Sequence, residues 1–280
     1  MKTMALANQK GGVGKSFVAT QLAFFLAERG KRVLHLDLDH QRNSSVPLIK
    51  SGLARLAECS ASDVLQGAAT ALIEHPFVVV TGDVRLSGLE RQPEHHNGYV
   101  ANLRDFLKAV GAQFDVCVID TNPNPDIRYA AALICADCVL SPVQLNQEAL
   151  DGIASLLRHP RYGVHKVRDL LNPRLDLIGL LPNMVEATPF QRANLTQLLR
   201  AHPQLLMHLP GEPARYAFIP TRTAIAEAQA TGVPLWQLRH AVAGQANAGV
   251  AGSVRTAARE AWREVRPVFE ELERRIFREA

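Results

Sequence analysis

Short runs of apolar residues alternate along the chain with longer stretches in which apolar positions recur at helical spacing. This alternation is typical of βαβ units, in which helices join the strands of a parallel sheet. The run at 115–120 is the most apolar and predicts a central strand buried on both faces. We therefore expect an α/β fold with a mostly parallel central sheet and helices on both faces. The predicted strands are residues 1–8, 33–37, 77–81, 115–120, 138–142, 175–182 and, as a short strand, 216–220.

The C-terminal part of the chain departs from this alternation. Residues 241–252 are rich in Ala and Gly, which is typical of a flexible connection. Apolar positions then recur at helical spacing over 254–276, interrupted by Pro267, and predict a pair of terminal helices packed on the core. The expected organisation is a single domain with its core at 1–240, the connection, and C-terminal helices at 253–280.

The composition narrows the class of protein. The chain has 280 residues, of which 47% are hydrophobic and 21% charged, as in soluble globular proteins. It has no apolar run of the roughly 20 residues that span a membrane, and its first residues lack the regions of a signal peptide. Four unevenly spaced cysteines do not form a disulfide framework, so we expect a cytoplasmic protein. The net charge of +4 is compatible with affinity for a polyanion and equally with solubility alone.

A glycine-rich turn, KGGVGKS at 10–16, lies between the first predicted strand and a predicted helix at 15–29. Glycines let backbone N–H groups approach phosphate oxygens, and the helix N-terminus adds partial positive charge. In such a loop Lys15 reaches the β- and γ-phosphates, and the hydroxyl of Ser16 binds Mg²⁺. The strict pattern GxxxxGK[ST] requires glycine at the position of Gln9, so an ordinary glycine turn is the alternative.

Lys10 adds a second positive charge at the start of this turn. Two lysines in one loop repel each other unless phosphate neutralises both. The alternative is a solvated surface lysine.

Three aspartates follow predicted strands. Asp37 and Asp39 lie at the end of the second strand, and Asp120 ends the central one. Ligands of parallel α/β sheets bind at this edge, where carboxylates near a Mg-phosphate hold metal-bound waters and orient an attacking water. Aspartates are also common at strand exits as turn or cap residues, which is the structural alternative.

With these motifs, the chain resembles the ParA/MinD family of deviant Walker-A P-loop ATPases, and within it the ParA partition group. The similarity covers most of the chain and keeps the order of the family's motifs. The segments that carry it are NQKGGVGKS, VLHLDLDHQ, FDVCVIDTNP, SPVQLNQEALDGI, LIGLLPNMV and AFIPTRTAIAEAQATGVPL.

The resemblance implies a cycle that uses ATP and Mg²⁺. ATP would join two subunits as a homodimer, with Lys10 of each subunit reaching the phosphates bound to its partner. The dimer would bind DNA non-specifically, which would place the ATP-bound protein on the nucleoid. A ParB-like or other small DNA-binding adaptor would stimulate slow hydrolysis and so release the dimer.

The resemblance also implies roles for individual residues. The implied catalytic residues are Lys10, Lys15 and Asp39, of which Asp39 aligns the attacking water. The implied residues around the metal are Ser16, Asp37 and Asp120. The implied nucleotide contacts are Gly11, Gly12, Val13, Gly14, Lys15, Ser16 and Phe17, with Asn183 and Pro220 near the adenine.

The chain departs from the family pattern in two segments. His40 replaces the usual proline, so we expect a looser turn around Asp39. Asn122, Asn124 and Asp126 stand where the family has a Pro-Pro-Ser-like segment, so the rate of hydrolysis or its control is open. A P-loop scaffold that binds ATP without hydrolysing it therefore remains an alternative. No helix-turn-helix precedes the loop, so operator-specific repression is not expected.

A positioning ATPase of the MinD kind, acting at a membrane or on a conjugation or other cargo complex, is the second alternative. A uniformly basic C-terminal helix face would favour it, but residues 253–280 mix glutamates with arginines, so we expect partition and no membrane partner. Arginines of the C-terminal half are candidates for binding DNA or for solvated ion pairs: Arg192, Arg200, Arg215, Arg222, Arg239, Arg255, Arg259, Arg263 and Arg266.

Two further patterns invite a metal interpretation. Cys135 and Cys138 form a C-x-x-C pair, but they run from a helix end into an apolar strand, where cysteines are commonly buried as small hydrophobes. His95 and His96 are typical of a polar loop, since no Asp or Cys lies near them in sequence. We therefore expect no iron–sulfur or zinc site from either pair.

Overall fold

Seven parallel strands form the centre of the computed structural model, which describes residues 1–209, 211–238 and 248–278. Their order across the sheet is β3-β4-β2-β5-β1-β6-β7, and every neighbouring pair is parallel. A separate antiparallel pair, β8 and β9, follows later in the chain. The strands are β1 Lys2–Leu6, β2 Val33–Asp37, β3 Arg55–Leu56, β4 Phe77–Val80, β5 Val116–Asp120, β6 Cys138–Val143, β7 Asp176–Pro182, β8 His208–Leu209 and β9 Glu212–Tyr216.

Helices cover both faces of the sheet, as predicted. One buried cluster is built around α4 and α5, and the other around α1 and the C-terminal helix α10. Short 3₁₀ turns occupy Val84–Arg91, Pro93–His95 and Leu235–Gln237. The α-helices are α1 Lys15–Glu28, α2 Ser45–Lys50, α3 Ala61–Gln66, α4 His96–Val110, α5 Ile127–Cys135, α6 Gln147–Arg158, α7 Val164–Leu170, α8 Pro189–Ala201, α9 Thr223–Thr231 and α10 Ala248–Ile276.

The central strand β5 explains why both faces are apolar. Successive side chains of a strand point to opposite faces. Val116 and Val118 pack in the cluster around α1, whereas Cys117 and Ile119 pack in the cluster around α4 and α5. The apolar run therefore supplies two cores at once and ends in a polar residue, Asp120, at the carboxyl edge.

The predicted strand at 216–220 is wrong. The backbone N–H of Ala217 donates to Met207, but that of Ile219 donates to Pro182, so the pairing changes partner within two residues. Pro220 has no N–H with which to continue a ladder. The segment forms only an isolated bridge there, and the regular strand β9 lies before it.

The predicted terminal helix pair is a single helix, α10, that continues through Pro267. A proline inside a helix costs about 3 kcal/mol. The buried stripe on both sides of it outweighs this cost, because burying one large apolar side chain contributes about 1.5–3 kcal/mol. In that stripe Phe269 stacks on Phe25 of α1 with ring centroids 5.8 Å apart, and Trp262 lies 6.1 Å from the same ring.

The predicted connection at 241–252 is described only in part. Residues 241–247 lie outside the described residues, and 248–252 belong to α10. None of the described helices is both long and apolar enough to cross a membrane.

Candidate nucleotide site

The glycine-rich turn joins β1 to α1 at the carboxyl edge of the sheet. Gly12 and Gly14 have φ angles of 74° and 88°, in the left-handed region that favours glycine. At Gly14 an added Cβ would lie 2.0 Å from Nδ2 of Asn183. Gly14 also caps α1 without a side-chain hydrogen bond, which leaves the N–H groups of the first helical turn available to an anion. The turn therefore has the geometry of a phosphate-binding loop.

Two amide side chains hold this loop from the neighbouring strands. Nε2 of Gln144 donates to the carbonyl oxygen of Gly12 at 3.1 Å, and Nδ2 of Asn183 donates to that of Val13 at 2.8 Å. Gln144 follows β6 and Asn183 follows β7. Asn183, expected at the adenine from the sequence, thus also positions the phosphate loop.

Lys15 is the buried cation of the site. Its Nζ donates to the carbonyl oxygens of Asn8 at 3.1 Å and Lys10 at 3.3 Å. Burial lowers the pKa of Lys15, and the negative charges of Asp120 and Asp39 oppose that shift. The ammonium group is therefore bound to the loop backbone and lies near enough to the two carboxylates to interact with their charge.

Asp37 and Asp120 lie opposite each other on the paired strands β2 and β5. Asp37 is fully buried, and Ser45 donates to its Oδ2 from the backbone N–H at 3.0 Å and from the hydroxyl at 2.8 Å. Burial raises the pKa of Asp37, which these hydrogen bonds oppose. Burial and the nearby Asp37 raise the pKa of Asp120 to about 7. The two paired strands thus hold the predicted carboxylates of Asp37 and Asp120 next to each other, and both are buried from solvent.

The fit to Mg²⁺ rests on Asp120. Neither oxygen of this fully buried carboxylate has a hydrogen bond of normal geometry to a described residue, although the hydroxyls of Ser16 and Ser44 lie near enough to lower its pKa. A buried acid without such a bond is costly unless a cation joins it. Within the described chain, no group of three or more His, Cys, Asp or Glu side chains could hold a metal ion alone. Mg²⁺ usually keeps several waters and binds through one or two carboxylates together with phosphates, so Asp120 and the neighbouring Asp37 would be enough protein carboxylates beside a bound nucleotide.

A cavity of about 800 Å³ opens above the loop. Asp39 and His40 form one part of its wall, and Thr121, Pro123 and Asn124 form another. The Asp39 carboxylate accepts a hydrogen bond from the backbone N–H of Gln41 at 3.0 Å. The phosphate loop and the start of α1 form a third part of the cavity wall, which consists of Gly11, Gly12, Gly14, Lys15, Ser16 and Phe17.

A second cavity of about 700 Å³ adjoins the first, because Phe17, Met184, Gln229 and Ala230 line both. Asn183 and Pro220, the residues expected at the adenine, both line this second cavity. The two cavities together extend from the phosphate loop to a mixed polar and apolar pocket, an arrangement that suits a nucleotide with its base in the second cavity.

Lys10 lies at the side of the loop and not in the cavity wall. Its Nζ donates to Oε2 of Glu148 at 2.6 Å and to Oδ1 of Asn146 at 3.2 Å, at the start of α6 of the same chain. About 25% of the Lys10 side chain and 80% of the Glu148 side chain are exposed. The two lysines of the loop therefore have different surroundings, one buried and one at the surface.

The sequence interpretation missed Arg128. Only 4% of this residue is exposed, and its Nε lies 3.0 Å from Oδ2 of Asp126, which caps α5. Asn122 donates to the same oxygen of Asp126 at 2.9 Å. The signal in the sequence was the D-x-R spacing at a predicted helix start, which places an arginine within reach of the capping aspartate.

The two cysteines of the C-x-x-C pair are largely withdrawn from solvent. Cys138 is buried at the start of β6, and Sγ of Cys135 lies 3.6 Å from the carbonyl oxygen of Val100. Burial raises the pKa of Cys135 to about 11 and that of Cys138 to about 12. Both are thus held as thiols, whereas the thiolate is the metal ligand and the nucleophile.

Comparison with known proteins gives consistent matches. A family model described as an AAA domain matches residues 1–177. Protein IncC of Escherichia coli is 34% identical over 280 residues, which cover 95% of this chain and 67% of IncC. The chromosome-partitioning ATPase Soj of Thermus thermophilus is 35% identical over 240 residues, which cover 85% of this chain and 88% of Soj.

Solved structures share the fold. Cobyrinic acid a,c-diamide synthase from Mycobacterium smegmatis, with bound ADP and magnesium, has a TM-score of 0.67 at 26% identity, and the match covers 88% of this chain and 97% of the synthase chain. A complex of a Cyanothece McdA variant with ATP has a TM-score of 0.70 at 18% identity, and the match covers 95% of this chain and 96% of the McdA chain.

Proposed function

Since this chain belongs to the AAA-domain family and to the ParA/Soj/IncC group of partition ATPases, we propose that it binds ATP and Mg²⁺ and dimerises. The dimer holds non-specific DNA until ATP is hydrolysed. Hydrolysis is slow and is stimulated by a small DNA-binding adaptor of the ParB kind. The protein is then a DNA-segregation switch, cytoplasmic and associated with the nucleoid in its ATP state.

The observation that carries ATP and Mg²⁺ is the buried carboxylate of Asp120 beside the phosphate loop, which has no hydrogen bond of normal geometry to a described residue. Asp37, Asp120 and the hydroxyl of Ser16 would lie around the metal, directly or through water. Bound Mg²⁺ would draw charge from the phosphates as the terminal bond breaks. Lys15 would neutralise the β- and γ-phosphates, and the N–H groups of the loop would bind their oxygens. The M. smegmatis neighbour, which holds ADP and magnesium, supports this choice of ligands.

Asp39 is proposed to align the attacking water. The residue is 6% exposed and lies in the wall of the phosphate cavity. A carboxylate there orients water by accepting its hydrogen bond, so that the oxygen lone pair faces the phosphorus. The partition ATPases differ from a passive P-loop scaffold in this step, so turnover distinguishes the two.

Dimerisation is proposed to use Lys10. A lysine whose only described ion pair is with a largely exposed glutamate can exchange that partner for phosphate at low cost, since exposed ion pairs contribute little.

Four of the arginines expected at DNA remain candidates in the structure. They are exposed and form no ion pair with another described residue: Arg192 and Arg200 of α8, and Arg259 and Arg263 of α10. Two others are already paired, Arg222 with Glu264 at 2.9 Å and Arg266 with Glu270 at 2.9 Å. A cation already paired on its own chain gains less from a phosphate. Arg239, another candidate from the sequence, lies outside the described residues.

The proposal is tested by titrating non-specific duplex DNA with the protein in the presence and absence of ATP and Mg²⁺. We expect ATP to tighten binding and added salt to weaken it. Binding that is insensitive to both would contradict the partition function. A positioning ATPase at a membrane would instead bind anionic vesicles in its ATP state and leave DNA unbound. The mixed charge of α10 favours partition over that alternative.

A further inference from the structure

The segments that follow β2 and β5 meet beside the phosphate cavity. These strands are neighbours in the sheet, so their exits lie side by side. Asp39 and His40 belong to the first segment, and residues 121–126 to the second. Both segments carry this chain's departures from the partition-family pattern.

The second segment is anchored by a buried ion pair. Arg128 is 4% exposed and Asp126 is 8% exposed. Asp126 accepts from Nε of Arg128 at 3.0 Å, from Nδ2 of Asn122 at 2.9 Å and from the backbone N–H of Arg128 at 3.0 Å. Separating a buried pair of this kind would leave an uncompensated charge, which is strongly unfavourable. The guanidinium group is therefore a fixed point.

A row of polar groups leads from this guanidinium to Asp39. Nη1 of Arg128 lies 3.4 Å from Nδ1 of His40, and the same Nδ1 lies 3.3 Å from Oδ1 of Asp39. On the other side of the ring, Nε2 of His40 lies 2.8 Å from Nε2 of Gln41. A guanidinium group can only donate, so Nδ1 accepts from Arg128 in this arrangement and has no proton to give to Asp39. The imidazole is thus fixed by the arginine and lies in packing contact with the carboxylate.

Building on the hydrolysis proposed above, we propose that Arg128 is a positioning residue that acts through His40 to hold the Asp39 carboxylate, and so couples the hydrolytic step to the segment 121–126. An Asp side chain can rotate about two bonds. The backbone N–H of Gln41 and the ring of His40 both approach the same oxygen of Asp39, which restricts that rotation. Misplacing a reacting group by about 1 Å can reduce the rate by about 10²-fold.

On this proposal His40 has a role other than the expected loosening of the turn. A proline at this position would stiffen the backbone but would carry no side chain that reaches both Asp39 and Arg128. The histidine replaces that stiffness with a side-chain contact to α5. The unusual TNPNPD segment then has a structural purpose, because Asn122 and Asp126 hold the arginine that supports His40.

The first test is a double-mutant cycle on ATP turnover. Arg128→Lys keeps the charge but loses the fork that reaches both Asp126 and His40. We expect it to lower kcat about tenfold while the KM for ATP changes less than about twofold, and to have little further effect in a His40→Ala background. Arg168→Lys, which alters an exposed pair with Asp169, is the matched control. The proposal would be overturned if Arg128→Lys lowered kcat equally in both backgrounds or did not lower it at all. It would also be overturned if KM changed as much as kcat.

The second test does not depend on turnover. Hydrogen–deuterium exchange of the protein without nucleotide should show faster exchange of amides 38–42 in Arg128→Lys than in the wild type or in Arg168→Lys. Equal melting temperatures for the two arginine variants would exclude general destabilisation. Unchanged exchange at 38–42 would overturn the coupling. Absence of turnover in the wild type, with this exchange effect present, would instead contradict the proposed ATPase function.

Discussion

Nζ of Lys10 lies 2.6 Å from the carboxylate of Glu148 in its own chain, so the lysine expected to bridge two subunits is engaged within one. The hydrogen bond from Lys10 holds the pKa of Glu148 below its usual range. Pairing within the chain competes with any contact made across a dimer, because a carboxylate and a phosphate on the same ammonium group repel each other.

Glu148→Gln is therefore expected to favour the ATP-dependent dimer. Removing the competing charge should lower the protein concentration needed for dimerisation a few-fold, as is typical for an exposed pair. Sedimentation with a slowly hydrolysed ATP analogue measures this midpoint. Lys10→Ala should abolish dimerisation while monomeric nucleotide binding persists, and wild-type dimerisation or turnover in that variant would refute the contact in trans. Glu58→Gln, an exposed change elsewhere, is the control.

Gly14→Ala should disrupt the phosphate loop. The residue has a φ of 88°, and its Cβ would lie 2.0 Å from Nδ2 of Asn183, so both the backbone and the Asn183 contact are strained. We expect the free energy of unfolding to fall by about 2 kcal/mol and ATP affinity to fall more than about tenfold. Urea unfolding and equilibrium nucleotide titration measure the two effects.

Gly98→Ala is the matched control for this change. Gly98 lies within α4, and an added Cβ there meets no atom within 4 Å. Alanine should increase stability by about 0.5–1 kcal/mol because glycine weakens a helix. Similar losses for both variants would show that glycine content, and not the geometry at Gly14, decides the outcome.

Asp83 should contribute a pH-dependent part of the stability. Partial burial raises its pKa, but hydrogen bonds from Ser60, Ser62 and Arg85 outweigh this and lower it to about 2. A group with a depressed folded pKa stabilises the protein above its unfolded pKa, near about 3.9, and this contribution disappears as the pH falls towards about 2. Because solvent screens this partly exposed group, Asp83→Asn should cost only about 1 kcal/mol at about pH 7, and almost nothing at about pH 2.

The measurement is urea unfolding of wild type and variant across that range, with the exposed Asp105→Asn as control. A difference between wild type and Asp83→Asn that stays constant over the whole range would contradict the assignment. So would an equal pH dependence in the control variant.

Arg259→Ala combined with Arg263→Ala should weaken ATP-dependent DNA binding. If both side chains contact phosphates, the slope of log affinity against log salt should fall by about two, since each phosphate contact contributes about 0.9. Fluorescence anisotropy over a salt series measures this slope. Arg168→Ala serves as the control, and an unchanged slope in the double variant would place the DNA surface elsewhere.

The sequence determines the strands next to the site more closely than the ends of the chain. Residues 33–37 form β2 as predicted, and the predicted strands at 115–120 and 138–142 differ from β5 and β6 by one residue at one end. These runs are apolar on both faces, so their signal is strong and local. The segment 216–220 was misassigned because its hydrogen bonds depend on two distant partners, Met207 and Pro182.

The residues of the site also divide into those that local patterns predict and those that only the folded chain brings together. The loop glycines, Lys15, Asp37 and Asp120 could be placed at the carboxyl edge of the sheet because their positions follow from spacing along single segments. The contact of His40 with Arg128 could not, since the two residues are 88 positions apart and meet only when β2 and β5 pair. Pairing of Lys10 with Glu148, 138 positions away, is equally invisible to local patterns.

The register between β2 and β5 places Asp37 opposite Asp120. Sliding one strand by a single residue would turn every side chain to the other face and separate the two carboxylates. The register of these two strands therefore also determines the distance between the two carboxylates. Substitutions that shift these central strands should abolish activity even where the chain still folds. The short edge strand β3 is separated from β2 by β4 and is free of that constraint. Evolutionary change in length and sequence should therefore accumulate at that edge of the sheet and be rare at its centre.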